Sequence, residues 1–305
     1  MKENLVEIEG FEPVKPYHKS VLVHEVLQGL AIAPHKTYID VTFGGGGHSC
    51  ALLDADPTVR VIGFDWDLGA VERGMALVDQ YEGRLELYWG SFSHLYKLIK
   101  KYNIEQVDGI LADFGTSQFQ IHNTPGLSFL SDSPLDMRIS HAHFRETAAD
   151  YVNYRTAHDL EQILWKYGEE PQAKAIVKAI IEERQKTKFS TTSQLVKVIE
   201  RVVHRKGAIH PATRVFQALR IVVNKELENI SSFMPAALHA LKPGGRLACI
   251  SFHSLEDRLV KDFYRETQAV LQGTVVKPAF VIATQDELVR NPSSRSAKLR
   301  VLEKL

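Results

Sequence analysis

The sequence predicts an α/β fold, a parallel sheet covered on both faces by helices, with an all-helical block inserted into it. Three observations carry that expectation. Short apolar runs alternate with helix-period segments as far as Asp113, only helical spacing is found from Thr147 to Val203, and the alternation then returns. Strands separated by helices pair in parallel, because the connection must cross over the sheet.

The elements follow in order. Residues 18–33 place Val21, Leu22, Val26, Leu27 and Leu30 at helical spacing, one apolar stripe of an amphipathic helix. Thr37–Phe43 is an apolar run broken by four glycines, Gly44 to Gly47, and reads as a short buried strand. A helix is expected over His48–Ala55, then a strand over Val59–Phe64 with Asp65 at its tip. A helix over Ala70–Gln80, a strand over Leu85–Trp89, a helix over Phe92–Tyr102 and a fourth strand over Val107–Ala112, ended by Asp113, continue the rhythm.

Residues 114–145 are rich in Gly, Ser, Pro, Asp and His. So long a loop in a compact domain is expected to serve a function. Helices are predicted at 147–154, 157–167, 171–186 and 192–204, with Thr147, Thr156 and Thr191 as N-caps. Pro211–Leu227 and Ile230–Leu241 read as helices, Lys242–Gly245 as a turn, and Arg246–Phe252 as a strand. Ser254–Glu266 opens with the capping pattern of Ser254 and Asp257, and Lys298–Lys304 reads as the last strand. The expected division is an N-terminal extension over 1–17, a core from 18–122 and 211–305, and a helical insertion over 123–210.

Bulk composition narrows the function classes. With 305 residues the chain can bury the core of one large domain or two smaller ones. No stretch of 18 apolar residues occurs, so no membrane span is expected. Met1–Pro16 carries Glu3, Glu7, Glu9 and Glu12 and lacks the basic start and apolar run of a secretory signal. Cys50 and Cys249 are too few for a disulfide framework or a zinc knuckle, so no metal is expected and a cytoplasmic setting fits. The 37 basic and 37 acidic residues balance, which argues against coating nucleic acid through bulk charge. Nine Lys or Arg against three Glu between Lys174 and Lys206 make the basic charge regional. Such a run is either a solvated helix surface or a face for a polyanion.

The strongest local signal is Asp40-Val-Thr-Phe-Gly-Gly-Gly-Gly-His48 followed by Asp65. A glycine turn at a strand's carboxyl edge lets the backbone approach a ligand, and the helix after it presents free N–H groups. Asp65, 19 residues after Gly46, is placed to accept hydrogen bonds from ribose hydroxyls. The pattern therefore expects an adenosine-containing cofactor. The dinucleotide fingerprint fails at its sixth position, which is Ser49 or Cys50, and no Lys-Ser or Lys-Thr follows the glycines. S-adenosylmethionine needs no diphosphate cradle, and Asp40 suits its ammonium group; NAD stays open on the residues alone. Phe92 either packs on adenine or is a core aromatic starting a helix. Asp113 either caps a turn or does chemistry at the sheet edge.

Taken together the motifs resemble a known family. They are His18-Lys-Ser-Val-Leu, the Phe43–Ser49 turn, Asp113-Phe-Gly-Thr-Ser117, Ser133-Pro-Leu-Asp-Met-Arg138, Tyr167-Gly-Glu-Glu170, His210-Pro-Ala-Thr-Arg214 through Asn224, Ser251-Phe-His-Ser-Leu-Glu-Asp-Arg258, and Arg295-Ser-Ala-Lys-Leu-Arg300. In this order, from about His18 to Lys304, the chain resembles the bacterial 16S rRNA cytosine-N4 methyltransferases (RsmH, formerly MraW).

The resemblance implies a class I, Rossmann-like methyltransferase core with an inserted helical domain, S-adenosylmethionine as methyl donor, and N4 of one decoding-region cytidine in the small ribosomal subunit as acceptor. It places the cofactor contacts on Gly46, Gly47, His48, Asp65, Phe92, Asp113 and Gln120. Asp113 is the expected catalytic residue, accepting an N4–H bond, with Asp136 and His253 as second choices. Arg138, Arg214, His253, Arg295 and Lys298 are expected at the RNA, and the chain is expected as a monomer or homodimer. The chain departs from the common pattern in four places. Thr116-Ser-Gln118 stands for Val-Ser-Ser, with Phe114 for Leu, Ser133 for Gly, Pro125-Gly-Leu for Arg-Gly-Phe, and Ser293 for Arg. Two expected basic residues near the RNA are thus missing.

Three other classes compare poorly or stay open. A nicotinamide dehydrogenase needs the failed fingerprint. A zinc deaminase also acts on cytosine N4 but needs a Cys-x-x-Cys pair that this chain lacks. A non-catalytic RNA-binding assembly protein that keeps the fold stays open on sequence grounds.

Overall fold

The computed structural model describes residues 19–116, 118–204 and 210–305. The expected N-terminal extension, His18, Ser117, and Arg205 and Lys206 of the basic stretch lie outside them.

The first half alternates as expected: α1 (Val23–Leu30), β1 (Thr37–Asp40), α2 (Gly47–Ala55), β2 (Arg60–Asp65), α3 (Leu68–Gln80), β3 (Leu85–Trp89), α4 (Leu95–Lys101) and β4 (Val107–Asp113). The first helix is shorter than its apolar stripe because Leu22 and Ala31 adopt left-handed backbone at its two ends. Phe92–His94 forms a separate 3₁₀ turn ahead of α4. The long loop after β4 contains α5 (Gln118–Asn123). Its six residues show too little apolar period to be read from sequence.

Helices α6 (Ala148–Tyr154), α7 (Ala157–Gly168), α8 (Ala173–Arg184) and α9 (Thr192–Val202) follow. Thr147, Thr156 and Thr191 are N-caps as expected; Thr147 and Thr156 form capping boxes with Asp150 and Asp159, and the Thr191 N–H donates to Gln194 Oε1 at 3.2 Å. Next come α10 (Thr213–Val223) and α11 (Glu226–Ala240), separated at Asn224 and a left-handed Lys225. The remaining elements are β5 (Leu241–Ser251), α12 (Ser254–Ala269), β6 (Gly273–Val275), β7 (Val281–Ile282), α13 (Gln285–Arg290) and β8 (Lys298–Lys304). The expected Lys242–Gly245 turn is a bulge inside β5: pairing with β4 jumps from Leu241 to Arg246, and Gly244 takes φ +77° to allow it.

The sheet order is β3-β2-β1-β4-β5-β8-β6, with β7 also on β8. The first five strands run parallel, and β8 is antiparallel to its neighbours. The chain runs outward from β1 to β2 and β3, then returns to β4 on the other side of β1. That reversal leaves a crevice at the carboxyl ends of β1 and β4. Two apolar clusters cover the sheet. One gathers Leu95, Phe233, Met234 and Tyr264, the other Val26, Leu30, Leu52 and Tyr81.

A third cluster holds helices α6 to α10 together through Val152, Leu164, Ile176, Leu195 and Phe216. It runs past residue 210, the expected end of the insertion, to Val223. Helices α7 and α10 approach closely at Gly168, where an added Cβ would lie 2.6 Å from the Arg214 carbonyl. Among the described residues no helix is long and apolar enough to cross a membrane.

Candidate active site

The crevice is lined by Gly44, Gly45 and His48 after β1, Asp65 and Trp66 after β2, Phe92 after β3, and Asp113 to Thr116 after β4. Gln120 of α5, Ile139, Arg220, Glu226, Asn229 and Phe252 complete it. Four strand tips and the helices α10 and α11 thus meet in one cleft.

Asp40 and Asp65 divide the work at the glycine turn. Asp40 is 1% exposed, and its carboxylate accepts from Ser49 Oγ at 2.8 Å and from the Thr42 N–H at 3.1 Å. It therefore braces the turn and does not face the cleft, contrary to its expected role beside an ammonium group. Burial pushes its carboxyl up. Asp65 does line the cleft. It accepts the Gly44 N–H at 2.7 Å and the Asp67 N–H at 2.8 Å, which fixes its carboxylate at the tip of β2. Burial raises its carboxyl to about 7, against the pull of those two N–H groups.

The four glycines have different tasks. Gly44 and Gly45 line the cleft, and an added Cβ on Gly45 meets nothing within 4 Å. Gly46, expected at the cofactor, instead takes φ +78° and packs on the Phe43 ring and Leu77. Gly47, expected there too, packs its Cα against Ser20 and opens α2. Neither lines the cleft; the turn's first two glycines do, because the helix begins one residue early.

Asp113 lies at the tip of β4, where Thr42 Oγ1 accepts its backbone N–H at 2.8 Å. Its Oδ1 is buried with no hydrogen-bond partner among the described residues. Its Oδ2 lies 4.0 Å from His48 Nδ1. The His48 Nε2–H donates to the Val21 carbonyl at 2.8 Å. A carbonyl only accepts, so that bond fixes the ring and turns Nδ1 toward Asp113. Burial raises Asp113 to about 6, and the nearby His48 opposes this.

Phe92 packs as a core aromatic at the start of a helical turn and also faces the cleft. It lines the cleft, and it also packs edge-on against Phe233 at 5.6 Å and beside Trp66 at 6.2 Å. Trp66 was missed from sequence, although its place directly after Asp65 signals it. Arg220, Glu226 and Asn229 gave no signal, because they reach the cleft only through tertiary packing. Arg220 donates to both carboxylate oxygens of Glu226, at 2.8 and 3.0 Å, and to Thr116 Oγ1 at 3.0 Å.

The expected RNA residues scatter. Arg138 is occupied by a two-pronged ion pair with Asp136, at 2.7 and 2.8 Å, so neither residue reaches into the cleft. The pair holds Asp136 below the usual carboxylate range. Arg214 and Arg295 are exposed. Lys298 lies 3.4 Å from Asp257 and over the Phe280 ring. His253 is the N-cap of α12, where Ser254 was expected: its Nδ1 accepts the Glu256 N–H at 3.4 Å, and Glu256 accepts the His253 N–H at 3.3 Å.

Glu226, His253 and Glu256 bring ligand atoms within 4.8 Å of one another. The cap places the His253 proton on Nε2, however, so in this tautomer that nitrogen has no lone pair for a cation.

The profile of the MraW methylase family matches residues 15–305 of the chain. Ribosomal RNA small subunit methyltransferase H of Thermomicrobium roseum is 44% identical, covering 96% of this chain and 95% of that protein. The protein of that name from Nostoc punctiforme is 42% identical with both chains fully covered, and that of Bradyrhizobium diazoefficiens is 43% identical over 94% of this chain and 91% of its own. By a family match over nearly its whole length, and by relatives this similar, the chain belongs to the MraW methylase family.

Proposed function

We propose that this chain transfers the methyl group of S-adenosylmethionine to N4 of one cytidine in the decoding region of 16S rRNA, within the small ribosomal subunit in the cytoplasm. The observation that carries this reading is an unpartnered, buried carboxylate oxygen on Asp113, in the same cleft as a ribose-type carboxylate, Asp65.

The cleft suits the cofactor by its donor set. Asp65 can accept from ribose hydroxyls, Gly44 and Gly45 leave room for close approach, and Trp66 and Phe92 supply flat apolar faces for adenine. Among the described residues at the glycine turn none is Lys or Arg, which fits a ligand without a diphosphate. Bound there, S-adenosylmethionine supplies an electrophilic methyl group.

The cytosine amine is a poor nucleophile, since its lone pair is delocalised into the ring. Asp113 accepts one N4–H, which turns the lone pair out of conjugation and stabilises the positive charge that develops on nitrogen. Backbone carbonyls around Phe114 and Gly115 assist. Placement in line is the larger task, and the converging strand tips perform it. To enter the cleft the base leaves its stack. The exposed Arg214 and Arg295, with the basic face of the helical insertion, then hold the surrounding RNA backbone.

The test compares methyl transfer by the wild type and by Asp113→Ala on unmethylated small subunits. Loss of transfer in the variant is expected, and near-normal turnover would overturn the assignment of Asp113.

A further inference from the structure

The loop after β4 carries a second polar group toward the cleft, three residues beyond Asp113. Thr116 Oγ1 accepts from Arg220 Nη1 at 3.0 Å. The guanidinium has only donors, so the threonine's own proton must point away from it. Arg220 cannot turn aside, because both oxygens of Glu226 grip its other nitrogens. Thr116, Arg220 and Glu226 all line the cleft. The ion pair therefore occupies one lone pair of a neutral hydroxyl and leaves its proton to donate elsewhere, in the cleft that Asp113 also lines.

Asp113 and Thr116 both line this cleft, three residues apart on one loop, so a single bound base can meet both. An aminopyrimidine presents a donor at its exocyclic nitrogen and an acceptor at the adjacent ring nitrogen. Asp113 matches the first and Thr116 the second. Uracil carries an acceptor at position 4 in place of the amine and would set it against the acceptor oxygen of Asp113. Mismatched polar groups buried in a closed site cost affinity on both sides.

We propose that Thr116, oriented by Arg220 and Glu226, is a specificity-determining residue that donates to the ring nitrogen N3 of the acceptor cytosine. The inference rests on the proposed function and adds the base edge that is read. Val is common at this position in the family that the chain resembles, so the bond is an addition of this chain on top of the carboxylate contact. The same fact makes Thr116→Val a mild substitution for the fold.

The test measures inhibition of methyl transfer to small subunits by free cytidine and by 3-deazacytidine, which replaces N3 with CH. Wild type is expected to prefer cytidine by about three- to tenfold, the range of one neutral hydrogen bond. Thr116→Val should abolish that preference, and Thr116→Ser should keep it. Equal inhibition of the wild type by the two nucleosides, or a preference that survives in Thr116→Val, would overturn the inference while the proposed function stands. A wild type that transfers no methyl group would instead remove the function on which it rests.

Discussion

His48 Nδ1 stands 4.0 Å from Asp113 Oδ2, and it is held there by a bond from its other nitrogen to the Val21 carbonyl at 2.8 Å. The first residues of the α2 helix and the tip of β4 thus face each other across the cleft. The imidazole is a neighbour to the carboxylate without being its hydrogen-bond partner, which leaves Asp113 available to a substrate amine.

The first prediction concerns pH. Asp113 is raised to about 6 by burial, and only its ionised form carries the negative charge that stabilises the charge developing on N4. kcat should therefore be flat above that value and fall as pH drops through it, toward tenfold per unit. A positive sulfonium beside the carboxylate lowers the midpoint in the loaded enzyme. A rate profile that rises below pH 6 would contradict the assignment.

Asp65 gives a separate readout. Its carboxyl is raised to about 7, so cofactor affinity should weaken as pH falls below that value and the charge that strengthens its hydrogen bonds to ribose hydroxyls is lost. Asp65→Ala should weaken binding on the order of 100-fold, as expected for hydrogen bonds to a charged acceptor. Calorimetric titration at several pH values measures both.

The glycine turn makes a contrast. Gly46→Ala meets the Phe43 ring and Leu77 at a φ of +78°, so it should cost about 2–4 kcal/mol in denaturant unfolding. Gly45→Ala has open space and should leave stability within about 0.5 kcal/mol. Its methyl group enters the cleft, so cofactor affinity should drop roughly tenfold, about 1.4 kcal/mol.

The turn also shows what could be read from sequence. The strand tips carrying Asp65 and Asp113 were legible, because a short continuous apolar run ending in a carboxylate leaves a local trace. Which glycines line the cleft was not, since that depends on where α2 starts and what packs behind it. Arg220 was invisible for a similar reason. Its position in α10 gives only a polar residue on a helix, and the partner Glu226 becomes meaningful once the chain turns at Lys225. The helical block was clear from its threonine caps, while the packing of α10 against α7 had no sequence signature.

For the RNA face, Arg138 and the two exposed arginines should behave differently. Arg138→Gln breaks the half-buried pair with Asp136 and should lower stability by about 1–3 kcal/mol. Arg214→Gln with Arg295→Gln should leave stability unchanged. In a filter-binding series the double variant should reduce the slope of log affinity against log salt by about 1–2.

The most direct measurement incubates the protein with unmethylated small subunits and labelled S-adenosylmethionine, then maps the modified nucleoside by mass spectrometry. One N4-methylated cytidine in the decoding region of 16S rRNA is expected, at near one methyl group per subunit. No incorporation, or a methyl group on another atom or another base, would contradict the account.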